Sequence, residues 1–127
     1  MAKVFAFDVD DTLEISNGPI KIQDLVDLRN QDHIVGLCGN WGKFFQCVPQ
    51  WYQLLQFFNY GQLKNVFLYE IRLWIPGMED YVMVGNIGPL DSRTYNVPQT
   101  GGSDDMSQAL AANWRFIKES DFAAGVR

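Results

Sequence analysis

Apolar residues in this chain fall into short continuous runs. Residues 4–7 (VFAF), 34–38 (IVGLC), 66–69 (VFLY) and 81–85 (YVMVG) each hold four or five positions free of strongly polar side chains, bounded by polar or turn-forming stretches. Runs of this length, rich in β-branched and aromatic members, are the pattern of strands buried on both faces, as in a parallel sheet. Between the first two, residues 21–30 place Ile22, Leu25, Val26 and Leu28 at roughly helical spacing, and Asn30 to Asp32 break the pattern. Strand, helix and strand within about 35 residues make a βαβ unit with parallel pairing and a right-handed crossover.

Residues 41–60 are dense in aromatics: Trp41, Phe44, Phe45, Trp51, Tyr52, Phe57, Phe58 and Tyr60. Their spacing predicts helix, divided or restarted at Pro49 and ended by Gly61. Such a stripe could form a base-stacking surface. The reading taken is core, with one face left for self-association into a homo-oligomer. Residues 70–79 are too short for a full helix before the next strand. Residues 87–103, rich in Gly and Pro, predict a loop long enough to be functional or mobile. A helix then opens near Asp104 and Asp105, where either carboxylate could be the N-cap. Residues 115–117 predict an edge strand, and 122–127 a tail.

With 127 residues, 47% of them hydrophobic, the chain suits one domain, 1–127, around one core. No apolar run reaches the length of a membrane span, and Asp8 comes too early for a signal peptide. The two cysteines, Cys38 and Cys47, lie in apolar surroundings without CxxC or Cys/His spacing. They read as reduced thiols of a cytoplasmic protein and exclude a disulfide framework or a zinc site. His33, the lone histidine, reads as a loop or strand-edge residue. A net charge of −5 with no Lys/Arg run argues against nucleic acid and anionic membrane as partners. It leaves a phosphorylated substrate open, because a bound metal reverses the local sign.

The candidate chemistry begins where the first run ends. Asp8, Asp10 and Asp11 stand within four residues, directly after a strand read as central. Ligands of open α/β sheets bind outside the carboxyl ends of the strands. Carboxylates this close repel one another unless a cation lies among them, and hard oxygen donors suit Mg²⁺.

The stretch DVDDT, with its apolar lead-in, acids at i and i+2 and Thr at i+4, resembles the first motif of the haloacid-dehalogenase-like (HAD) phosphohydrolase superfamily. The resemblance implies a three-layer α/β sandwich, Rossmann-like, with a five-stranded parallel sheet in the order 5-4-1-2-3 and, here, no cap domain. Capless members act on accessible or macromolecular phosphates, or recruit a cap from a neighbouring subunit. The resemblance further implies Asp8 as nucleophile, Asp10 as general acid and then base, and Thr12 as the residue that fixes the loop. Cys38, Gly39 and Asn40 occupy the place of the phosphate-binding second motif, with Cys38 where the family has a hydroxyl. Asn86 and Asp105 occupy the fourth motif, so Mg²⁺ would be held by Asp8, the backbone carbonyl of Asp10, and Asp105 with or without Asn86. Asp105, Ala109, Ala112 and Trp114 keep the spacing of that motif's second half. The third motif, a Lys that neutralises nucleophile and phosphate, is not found between Asn65 and Asn86. Arg72 is the only cation there and is its stand-in, with Lys43 and Lys64 outside the usual place. The expected function is that of a Mg²⁺-dependent phosphatase, a phosphoric monoester hydrolase. The alternative is a catalytically impaired HAD-like fold used as a binding or assembly module.

Overall fold

The computed structural model describes residues 2–127. Five strands, β1 (Lys3–Phe7), β2 (Ile34–Leu37), β3 (Phe57–Phe58), β4 (Asp80–Gly85) and β5 (Arg115–Lys118), form one sheet in the order 3-2-1-4-5. Every pairing is parallel. This is the expected order read from the other edge. Because β1 is central and flanked on both sides, its side chains from Val4 to Phe7 are covered, which is why they form an unbroken apolar run.

Successive side chains of a strand point to opposite faces, and two cores result. On one face Phe5, Phe7, Val35, Leu37, Val82 and Val84 pack beneath α1 (Ile22–Asn30), α2 (Trp41–Cys47), α3 (Trp51–Leu54) and a C-terminal helix at Glu119–Ala123. On the other, Val4, Ala6, Tyr81 and Met83 pack beneath α4 (Lys64–Trp74) and a helix at Asp105–Ala111. The chain moves from β1 outward to β3 with helices on the first face, then returns past β1 to β4 through α4 on the second. Crossovers of one hand running in opposite directions must use opposite faces. The change of direction puts the topological switch point, where sheets of this kind form a crevice, between the carboxyl ends of β1 and β4.

Four expectations are corrected. Residues 66–69 are not the third strand; they lie inside α4. Phe67, Leu68 and Ile71 face the sheet, but Val66, Tyr69, Leu73 and Trp74 are apolar on the exposed side as well. A helix apolar all round loses its 3.6-residue signature and reads as a strand. The third strand is instead Phe57–Phe58, hidden in the aromatic run, where the Phe57 ring lies so close over Gly36 that a Cβ there would collide with it. The stretch 41–60 is therefore two short helices and a strand. The segment 87–103 is not a bare loop either. It holds α5 (Pro89–Thr94), with Pro at its first turn, and the buried Asp91 accepts hydrogen bonds from the Ser107 amide and hydroxyl. Thr100 ties its far end to the Ile87 N–H and to Glu119. The two later helices are accordingly α6 (Asp105–Ala111) and α7 (Glu119–Ala123). The expected tail is α7 at its start, with Phe122 buried edge-on against Phe5 and Phe7. No helix among the described residues is long and apolar enough to cross a membrane.

Candidate functional site

β1 delivers Asp8 to the crevice. Its N–H donates to the Val84 carbonyl, so the strand pairing with β4 continues one residue past Phe7, and the residue is 3% exposed. Asp105, the first residue of α6, reaches the same point and is fully buried. Between them stands the ammonium of Lys64, 3.1 Å from Asp8 Oδ1 and 2.6 Å from Asp105 Oδ1. Lys64 is the first residue of α4, so its position follows from the helix that the sequence pattern concealed.

Two glycines make room for the carboxylates. A Cβ on Gly39 would collide with Asp8 Oδ1, and one on Gly85 with Asp105 Oδ2. Asp105 Oδ2 instead accepts the Asn86 N–H at 2.8 Å. With both carboxylates ionised, the cluster would carry one negative charge more than its single ammonium offsets. Burial, and then repulsion from Asp105, push the Asp8 carboxyl up to about 8 from its ordinary 3.8, although Lys64 pulls it back. Burial alone would lower Lys64, yet Asp105 and Asp8 hold its ammonium above the usual lysine range.

The loop after β1 is locked across the crevice. The Thr12 hydroxyl donates to Asn86 Oδ1 at 3.0 Å, and Asn86 Nδ2 donates to the Asp11 carbonyl at 2.8 Å. Asp11 has a left-handed backbone, φ 58°, which Asp tolerates better than most residues. The third acid of the cluster is thus a turn residue. Thr12 is also 3.5 Å from Asp8 Oδ2. Asp10 points outward and is exposed, its carboxylate accepting from Ser16 Oγ at 2.7 Å and Asn40 Nδ2 at 3.3 Å.

The structure brings Asp8, Asp105, Asn86 and the Asp10–Asn40 pair to one sheet edge, and corrects several roles expected there. Arg72 is not at the site. It lies two turns along α4, donating to the Asn113 carbonyl and stacked over the ring of Tyr81 at the opposite end of β4. The cation at the site is Lys64. Asn86 is a latch, its Oδ1 accepting from Thr12 and its Nδ2 donating to the Asp11 carbonyl, so that its side chain is bonded at both ends to the β1 loop. Cys38 is fully buried among the α4-side core, where burial pushes its thiol up, and it offers nothing to a phosphate. The Gly39 N–H is already donated to Asn59 Oδ1 at 2.9 Å. Of the expected phosphate positions, Asn40 remains. Asn59, whose amide also donates to the Gln62 carbonyl, ties β2 to the loop that carries Lys64. Nothing local in the sequence marked Asn59, and Thr12 and Asn86 were marked singly but not as partners, because these contacts span 20 and 74 residues.

A cavity of about 610 Å³ lies apart from this cluster, between α1 and the α2–α3 connection, lined by Ile22, Val26, Arg29 and Leu54 among others. No group of three or more His, Cys, Asp or Glu side chains among the described residues is gathered as a ready-made metal site. The donors available to a cation are two buried carboxylates that share Lys64; so small a set of hard oxygens suits a cation that keeps much of its water, as Mg²⁺ does. Comparison with protein-family models, with curated proteins and with solved structures found no match to this chain.

Proposed function

We propose that the protein is a Mg²⁺-dependent phosphohydrolase acting on phosphomonoesters through an aspartyl-phosphate on Asp8. The observation that carries the reading is the Asp8–Lys64–Asp105 cluster, buried at the switch point of the sheet, where two carboxylates share one ammonium and ionising both calls for a further positive charge. Buried charge without compensation is costly, and such clusters are characteristic of functional sites. Asp8 and Asp105, with the Asp10 backbone carbonyl, would hold Mg²⁺. Bound there, the metal supplies two positive charges that keep Asp8 ionised and offset its repulsion from the phosphate.

In the first step an Asp8 carboxylate oxygen attacks phosphorus and the bond to the leaving oxygen breaks. Asp10, exposed at the lip of the site, gives its proton to that oxygen. In the second step a water oxygen attacks phosphorus, the Asp8–phosphorus bond breaks, and Asp10 takes the proton of the water. Lys64 stays charged throughout and faces the charge that develops on the phosphoryl oxygens. Asn40 contributes its side-chain amide, already beside Asp10.

A second reading, a binding or assembly module on the same fold, draws on Cys38, whose buried thiol leaves the phosphate one hydroxyl short. Hydrolysis of p-nitrophenyl phosphate and a panel of phosphomonoesters, with and without Mg²⁺, separates the two. The hydrolase reading expects Mg²⁺-dependent turnover that Asp8→Asn abolishes while the protein stays folded. Absence of turnover across the panel, or turnover that survives Asp8→Asn, rejects it in favour of the module.

A further inference from the structure

Resting on that hydrolase reading, we infer that Tyr60 is a shelf for a planar aromatic ring carried by the leaving group of the substrate. The polypeptide runs from Asn40, whose amide touches Asp10, straight into Trp41. The Trp41 ring is boxed by Phe45 at 5.4 Å, Phe58 at 6.0 Å and Tyr60 at 5.1 Å between centroids, and the Tyr60 ring lies nearly parallel to it, at 24°. Trp41 is thus fixed from several sides. Tyr60 rests on it with one face and is 69% exposed.

Core packing does not account for Tyr60. It follows the carboxyl end of β3, on the same sheet edge as Asp8. Its backbone is pinned by polar contacts: its N–H donates to Gln62 Oε1 at 2.7 Å, and the preceding Asn59 is bonded to the Gly39 N–H and the Gln62 carbonyl. The same short loop delivers Lys64 to the carboxylates and exposes Leu63 beside it. An exposed ring held in place next to a phosphate-handling site is a stacking platform, since every planar ring presents a π-face. No strongly polar or charged side chain is needed, so recognition would be of ring shape rather than of hydrogen-bonding pattern. A nucleoside 5′-monophosphate presents its ring a ribose away from the leaving oxygen, and an aryl phosphate presents it directly.

The test compares kcat/KM, in the presence of Mg²⁺, for adenosine 5′-monophosphate, p-nitrophenyl phosphate and ribose 5-phosphate in wild type, Tyr60→Ala and Tyr60→Phe. Tyr60→Ala should lower the preference for a ring-bearing substrate over ribose 5-phosphate by about 5- to 150-fold, the range of one base–aromatic stack. Tyr60→Phe should keep it within about twofold, because the π-face remains. Loss confined to adenosine 5′-monophosphate places the ring at a ribose's distance, and loss confined to p-nitrophenyl phosphate places it beside the leaving oxygen. Equal losses on all three substrates, or no change in preference, overturn the shelf while leaving the hydrolase reading in place. If nothing is turned over, calorimetric titration of the same three proteins with adenosine 5′-monophosphate and ribose 5-phosphate decides. Tyr60-dependent selectivity for the nucleotide upholds the shelf without the hydrolase, and equal or absent binding overturns it.

Discussion

At the scale of single residues, the account depends on which cation serves Asp8. Lys64 is in contact with both carboxylates and Arg72 is at the far end of α4. Lys64→Ala removes the only ammonium in the cluster and leaves Asp8 facing Asp105 with no cation between them. Phosphatase activity should fall by about 10²-fold or more, the usual cost of losing one preorganised electrostatic partner. Arg72→Ala should stay within about twofold of wild type. Steady-state rates for the two variants, with circular dichroism to confirm folding, check this; the reverse ranking would restore Arg72. The raised Asp8 carboxyl gives a second prediction, this one for the metal-free protein. The folded state keeps a proton that the unfolded state loses above 3.8, so the contribution of Asp8 to stability is fully present below that pH and is lost as pH rises through about 8. The melting temperature of wild type relative to Asp8→Asn should therefore decline between pH 5 and 9. A difference that stays flat over that range would mean that Asp8 is ionised throughout.

Among the elements, β1 and its acids were legible because everything that defines them is local: an apolar run, then Asp8, Asp10, Asp11 and Thr12 in succession. The α1, β2 and β4 segments were legible for the same reason. The helix α4 was not, since Val66, Tyr69, Leu73 and Trp74 put apolar residues on its solvent side and erase the period that would have announced it. With α4 went Lys64, which only makes sense as the first residue of a helix at the carboxyl edge. Asn86 looked like a weakened metal ligand, and its actual partners, Thr12 and the Asp11 carbonyl, could not be read from a sequence separation of more than 70 residues. The β1 loop itself carries a testable element-scale claim. Asp11 occupies the left-handed region, which costs a β-branched residue most. Asp11→Val should destabilise the protein by about 1–2 kcal/mol, whereas Asp11→Gly should be close to neutral. Urea denaturation of both variants measures the difference, and equal midpoints would show that the loop relaxes without strain.

For the whole molecule, two independent cores pin a central strand whose end bears the candidate nucleophile, and the latch between Asn86 and the β1 loop fixes the two halves of the sheet across the crevice. The second carboxylate sharing Lys64 and the exposed Tyr60 ring are features that the fold does not need for its own stability. They are what a substrate phosphate, its metal and its leaving group would use. The claim at the centre of this account is that Asp8 becomes covalently phosphorylated. Rapid mixing with a phosphate-labelled phosphomonoester and Mg²⁺, acid quenching and peptide mapping address it directly. The account predicts label on the peptide containing Asp8, released by hydroxylamine as an acyl phosphate is, and absent from Asp8→Asn. Mg²⁺-dependent turnover with no label on that peptide at any quench time, or the same label in Asp8→Asn, would contradict it.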